Sequence, residues 1–141
     1  MAWSKDSGEG ASCRVEQSEG VWPSATWSPA ADVLLTDETV VVRVELAGVA
    51  IGDVRVRSTS RELTVLGLRP EPAGARPRRI DRMEIGFGPF ARSIPLPEPV
   101  RPEEAEARLS DGLLEVVLPL AEPTEPPQGL VLSILVVGHD S

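Results

Sequence analysis

The chain has very few of the side chains on which catalytic and metal sites depend. Among 141 residues there is one cysteine, Cys13, and one histidine, His139. A single cysteine excludes an intrachain disulfide and fits a reducing compartment, and these two side chains could not form a zinc site without several carboxylates. The sequence also lacks a glycine-rich phosphate loop and a GxSxG nucleophile motif. These absences predict a protein that is not an enzyme and has no catalytic residues, no metal site and no cofactor.

Long apolar runs and a basic surface are missing as well. Nowhere do eighteen consecutive apolar residues occur, so no transmembrane helix is expected. The N-terminus has neither the basic nor the apolar region of a signal peptide. The net charge of -8 disfavours nucleic-acid binding, because that binding requires a basic face that displaces counterions from phosphates. We therefore expect a soluble, cytoplasmic protein that binds neither nucleic acid nor a membrane.

What the sequence does contain is a series of short alternations of apolar and polar residues, typical of β-strands. One face of the segment TVVVRVEL carries Val40, Val42, Val44 and Leu46. The segments DVRVRS and FARSIPLP continue the series, whereas ELTVLGL is more apolar throughout and could be buried on both faces. Asp111-Gly112 is a strong hairpin signal between AEARLS and LLEVVLP. The 14 prolines and 12 glycines disfavour long helices. The pattern predicts an antiparallel β-sandwich.

The two ends of the chain differ in composition from its centre. Residues 1–26 are rich in Ser, Gly, Glu and Ala, which predicts a disordered N-terminal arm. This arm carries bulky side chains that could bind other apolar chains, at Trp3, Val21 and Trp22. Residues 27–120 are expected to form the folded domain. Residues 121–141 begin as a proline-rich linker and continue with LVLSILVV, which would promote aggregation if it were left uncovered.

One charged residue, Arg92, alternates with apolar residues on the same face of a predicted strand. Arg92 alternates with Phe90, Ile94 and Leu96, on a face that should be buried or form an interface. A guanidinium there is costly unless carboxylates or backbone carbonyls pair with it. We interpret Arg92 as an arginine buried at a subunit contact, and the alternative is a polar side chain at a strand edge.

Four segments together resemble a known family. WSPAADVLLTDETVVVRVELAGV, ELTVLGLR, RIDRMEIGFGPFARSIPLP and ARLSDGLLEVVLP are similar, in order and spacing, to the motifs of the alpha-crystallin domain in bacterial small heat-shock proteins. The resemblance covers residues 27–120. Two positions depart from the family pattern, since Ala47 replaces the usual proline and Leu120 stands where a lysine often follows.

The resemblance implies an immunoglobulin-like sandwich that pairs into dimers. In the bacterial members a long loop, here 69–89, carries a strand that adds to the partner's sheet, here near Ile80–Met83. The residues that this implies for the dimer interface are Ile80, Asp81, Arg82, Met83, Glu84 and Arg92. The family's interface arginine falls on Arg92, which the strand phase singles out independently.

The resemblance also implies that the tail docks as an added strand in a groove of a neighbouring subunit. Two anchor pairs fit, Ile134 with Val136 by residue type and Leu130 with Leu132 by distance from the domain. The implied groove walls are Val54, Val56, Ala107 and Leu109. The prolines of the linker should keep it extended, so that the strand reaches a neighbour and does not fold back.

The function implied by the resemblance is that of an ATP-independent chaperone, a holdase that binds unfolding client proteins and prevents their aggregation under stress. It would associate into dimers and higher oligomers. The alternative is a co-chaperone or adaptor of the related CS-domain sandwich, which binds one folded partner. That fold normally lacks both the strand-carrying loop and the apolar tail.

Overall fold

The computed structural model describes residues 24–122 and 131–138. These residues form nine strands and two short 3-10 turns, Ile51–Asp53 and Pro102–Glu104. The strands are β1 (Ala31–Leu35), β2 (Thr39–Glu45), β3 (Val54–Ser58), β4 (Glu62–Arg69), β5 (Gly88–Pro95), β6 (Glu106–Ser110), β7 (Leu113–Pro119), β8 (Leu132–Ile134) and β9 (Val136–Gly138). Within this part of the chain, no helix is long and apolar enough to span a membrane.

The strands form two sheets that pack face to face. One sheet has the order β1-β2-β7-β6-β9 and the other has the order β5-β4-β3-β8. The pairs are antiparallel with the exception of β6 and β9, which run parallel. The predicted all-β sandwich is confirmed.

The core consists of the inward-facing residues that alternate along each strand. On β2 these are Val40, Val42 and Val44, all with no exposed surface. Val42 lies directly opposite Val116 of β7, which is also fully buried. Burying one such aliphatic side chain stabilises the fold by roughly 1.5–3 kcal/mol. The alternation predicted for TVVVRVEL is therefore the one that forms the core.

The hairpin between β6 and β7 turns at the dipeptide that the sequence indicated. Ser110 pairs with Leu113, so the loop consists of Asp111 and Gly112, at φ 54° and 79°. Positive φ at both central residues is the requirement of a type I′ turn, whose twist matches that of the strands. Gly112 also lies against Ala47, whose Cα would be 3.0 Å from an added Cβ.

The two ends of the described chain lie along edge strands of the sandwich. On one side, Thr26 donates its backbone N–H to the Pro89 carbonyl oxygen at 2.9 Å, so that the segment 26–30 runs along β5 before it enters β1. On the other side, β8 and β9 cover the edges of β3 and β6. These two edge contacts position the candidate interaction sites.

Candidate functional site

The groove between β3 and β6 holds the chain's own tail. β8 runs antiparallel to β3, with Ile134 opposite Val56 and Leu132 opposite Ser58. β9 runs parallel to β6, with Val136 opposite Ala107. The tail therefore changes its hydrogen-bonding partner at residue 135 and bridges both sheets.

The inward side chains of the tail complete the core at this side. Ile134 and Val136 are partly buried and pack against the core cluster, and Leu132 is also partly buried. The residues predicted to form the groove walls are all buried, with exposed fractions of 3%, 1%, 3% and 8% for Val54, Val56, Ala107 and Leu109. Leu130, the other candidate anchor, lies outside the described residues.

The docked tail belongs to the same chain as the groove, and this differs from the sequence-based expectation that it would not fold back. The physical reason is that, in a single chain, the nearest apolar strand that can cover β3 and β6 is the chain's own residues 131–138. Its outward side chains remain in solvent, with Val131, Leu135 and Val137 exposed by 52%, 82% and 49%.

The loop between β4 and β5, residues 70–87, contains no strand. Residues 80–83 are not in a strand within the single chain, and the strand expected there, which would pair with the partner's sheet, stays a prediction. Three apolar side chains of the loop are in solvent, with exposures of 61% for Ile80, 59% for Met83 and 65% for Ile85. Asp81, Arg82 and Glu84 are also exposed, and Arg82 pairs with Glu84 at 3.2 Å.

Within residues 24–122 and 131–138, β1 is an edge strand of the larger sheet. It pairs with β2 on one side and is the terminal strand in the sheet order. Its apolar side chains Val33, Leu34 and Leu35 are exposed by 40%, 40% and 52%. An edge strand with exposed apolar side chains is a template for pairing with another chain.

Arg92 is partly buried between core residues of β5. Phe90 and Ile94, its neighbours in the same phase, are 2% and 3% exposed. Its Nη1 donates a hydrogen bond to the Pro29 carbonyl oxygen at 2.8 Å. The partner is thus a backbone carbonyl, one of the two kinds that the phase argument allowed, and Arg92 fastens the segment 26–30 to β5.

A second inward arginine, which the sequence-based predictions did not include, is Arg69 at the end of β4. It is 7% exposed, and its Nη1 donates to the Gly86 carbonyl oxygen at 3.1 Å. Its guanidinium lies over the Trp27 ring at 4.2 Å, and its Nη2 is 3.6 Å from Glu45 Oε1. The signal that could have found it is the one used for Arg92, since Arg69 shares its phase with Leu63 and Val65.

The remaining predicted residues are not in the described part of the chain. The proposed client-binding residues Trp3, Val21 and Trp22 lie outside it, as do Cys13 and His139. Among residues 24–122 and 131–138, no three His, Cys, Asp or Glu side chains come together in a way that could hold a metal ion. The features that the structure describes in their place are a groove filled by the chain's own tail, the edge strand β1 and an exposed apolar loop.

Comparisons with known proteins place this two-sheet β-sandwich among the alpha-crystallin domains. A model of the Hsp20/alpha crystallin family matches residues 32–134. Heat shock protein 16 of Schizosaccharomyces pombe is 37% identical over 103 residues, 70% of each chain. Spore protein SP21 of Stigmatella aurantiaca is 31% identical over 105 residues, which are 74% of this chain and 62% of that protein.

Solved structures show the same relation. Heat shock protein 16.0 from Schizosaccharomyces pombe has a TM-score of 0.58 at 35% identity, covering 74% of this chain and 96% of that one. A small heat-shock protein from Xylella fastidiosa has a TM-score of 0.61 at 25% identity and covers 74% and 95%. The chain belongs to the Hsp20/alpha crystallin family.

The family decides between the two functions that the sequence left open. Small heat shock proteins are ATP-independent chaperones that form oligomers and bind client proteins. The predicted chaperone function is confirmed, and nothing in the comparisons favours the CS-domain alternative.

Proposed function

We propose that this chain acts as a holdase whose subunits pair through the loop 70–87 and assemble further through the tail. The observation that carries the proposal is the seating of the apolar tail in the groove between β3 and β6, with Ile134 opposite Val56 and Val136 opposite Ala107. A groove that accepts the two short apolar strands of this chain's tail has the geometry to accept the same tail from a neighbour.

The proposed dimer uses strand exchange. β1 has an unpaired side and exposed apolar residues, while the loop offers Ile80, Met83 and Ile85 in solvent. Adding Ile80–Glu84 of one subunit to β1 of the other would satisfy the backbone groups of both and cover these side chains. The loop's arginines would also approach two carboxylates, Asp32 within β1 and Asp37 shortly after it.

In the proposed assembly of dimers into larger particles, the tail leaves the groove of its own chain and docks in the groove of a neighbouring subunit. A tail docked on its own groove and a tail docked on a neighbour's groove bury the same side chains, so the two states differ mainly in linker geometry and in effective concentration. Each of Ile134 and Val136 contributes at most about 1.5–3 kcal/mol, reduced by the ordering entropy of the tail. One tail therefore binds reversibly, and many tails hold a particle together.

The proposed client contacts are the bulky side chains of the N-terminal arm, Trp3, Val21 and Trp22. The chemistry of such contacts is burial of aromatic and aliphatic surface, which requires neither ATP nor a catalytic residue. A cytoplasmic site of action, in agreement with the single cysteine, is part of the proposal.

The experiment that tests the function is light scattering of a heat-denatured or reduced client at increasing ratios of this protein. We expect aggregation to be suppressed near one subunit per client, with the same curve in the presence and absence of ATP. A folded protein of similar mass serves as the control. Scattering that is unchanged at several-fold excess, or suppression that requires ATP, would contradict the proposal.

A further inference from the structure

The base of the loop 70–87 is held by a group of side chains from separate parts of the chain. Arg69 immediately precedes the loop and pairs with Gly88 in the ladder between β4 and β5. Its guanidinium stacks on Trp27 at 4.2 Å and donates to the Gly86 carbonyl oxygen at 3.1 Å. Trp27 in turn donates from Nε1 to the Gly88 carbonyl oxygen at 3.2 Å. We call Trp27, Arg69 and Gly86 the loop joint.

The joint is closely packed. A Cβ at Gly86 would lie 2.7 Å, 2.8 Å and 3.0 Å from three ring atoms of Trp27, well inside van der Waals contact. Trp27 also contacts Phe90 of the core, with ring centroids 5.3 Å apart. The loop's last residues are thus pressed onto an aromatic side chain that is itself anchored to the sandwich.

Stability alone does not explain a buried arginine at this place. Within the described part of the chain, Nε and Nη2 of Arg69 are buried without a hydrogen bond, and the 3.6 Å contact with Glu45 is too long to be one. An apolar side chain of similar volume often serves the core as well as a buried ion does. What the guanidinium does, and a hydrocarbon could not do, is hold Trp27 and the Gly86 carbonyl at the same time.

We infer that the loop joint positions the loop 70–87 for dimerisation, with Arg69 and Trp27 as positioning residues. The inference rests on the proposed strand exchange. A loop with a fixed base loses less conformational entropy than a free loop when its strand adds to the partner's β1. Because this entropic cost is lower, the dimer binds more tightly. The same joint holds the segment 26–30 against β5, so this segment and the loop share one anchor.

Two variants test the joint from its two sides, each with a matched control. Arg69→Met removes the stack and the hydrogen bond but keeps the apolar volume, and its control is Arg108→Met on an exposed residue of β6. Gly86→Ala forces the loop away from Trp27, and its control is Gly52→Ala, where an added Cβ meets nothing within 4 Å. The full chain is used. The dissociation constant of the dimer is measured by sedimentation, at protein concentrations low enough that particles larger than the dimer have dissociated. The thermal unfolding midpoint is measured in parallel.

We expect both joint variants to weaken the dimer roughly tenfold or more, with the controls unchanged and the unfolding midpoint of the sandwich nearly the same. A dissociation constant within about twofold of the unmodified chain for Gly86→Ala would overturn the inference, and this variant decides the matter if Arg69→Met does not fold. An unmodified chain that stays monomeric would refute the strand exchange itself. A dimer whose dissociation constant is unchanged by both joint variants would refute the role of the joint but not the strand exchange.

Discussion

Replacing Ile134 and Val136 together with glycine should release the tail from its groove and reduce the particle towards dimers, while the sandwich stays folded. Both side chains are partly buried against the core cluster. If each contributes about half of the value for a fully buried aliphatic, the pair contributes about 1.5–3 kcal/mol. That free energy corresponds to a roughly 10- to 150-fold weaker docking equilibrium, and the loss is repeated at every tail of the particle.

The matched control is the double variant Leu135→Gly with Val137→Gly. It introduces the same two glycines into the same segment, so the entropic effect of glycine on the free tail is equal. Its side chains, however, are 82% and 49% exposed, and little burial is lost. The mass of each variant is measured by light scattering coupled to sizing chromatography. The difference between the two double variants therefore reports burial in the groove.

Two results would contradict the proposed anchor at Ile134 and Val136. Equal masses for the Ile134/Val136 variant and its control would mean that groove burial does not hold the particle together. An intact particle for the Ile134/Val136 variant, with dissociation for Leu130→Gly with Leu132→Gly, would move the anchor to the earlier pair. Far-UV circular dichroism checks that the sandwich remains folded in each case.

Two further predictions concern the backbone near the core. Arg92→Gly should remove the charged hydrogen bond to the Pro29 carbonyl, lower the free energy of unfolding by about 1.5–3 kcal/mol and broaden the particle size. Its control is Arg108→Gly, which carries the general cost of a glycine within a strand. Denaturation and mass equal to those of the control would mean that the Arg92 hydrogen bond does not stabilise the fold. Gly112→Ala should cost about 1–2 kcal/mol, because φ at this residue is 79° and an alanine pays the left-handed penalty. A thermal midpoint equal to that of the unmodified chain would contradict the turn geometry.

The central strands could be predicted from sequence because they alternate with a period of two and are buried on one face. Val40, Val42 and Val44 illustrate this, and the Asp111-Gly112 turn is a local signal that needs no tertiary information. β1 has no such alternation, since its apolar residues Val33, Leu34 and Leu35 are consecutive and exposed. Its strand conformation depends on pairing with β2, which composition does not report.

The tail and the two inward arginines show where the sequence stops being informative. LVLSILVV reads as one apolar stretch, yet it forms two short strands, because its partner changes from β3 to β6 at residue 135. The phase of Arg92 predicted a polar partner but could not identify the Pro29 carbonyl, 63 residues away in the chain. Arg69 follows the same rule, and its contacts with Trp27 and Gly86 exist only once two distant segments meet.

Because the tail pairs with a strand of each sheet, its departure exposes backbone in both sheets. β3 is paired on its other side with β4, and β6 is paired with β7, so the departure of β8 and β9 bares one edge in each sheet in a single step. Two bare edges beside a strip of buried aliphatics resemble the start of cross-β stacking, the hazard that natural β-proteins guard against. The docked tail therefore protects the chaperone's own sheets. A subunit is least prone to aggregate with other copies of this chain when a tail occupies every groove.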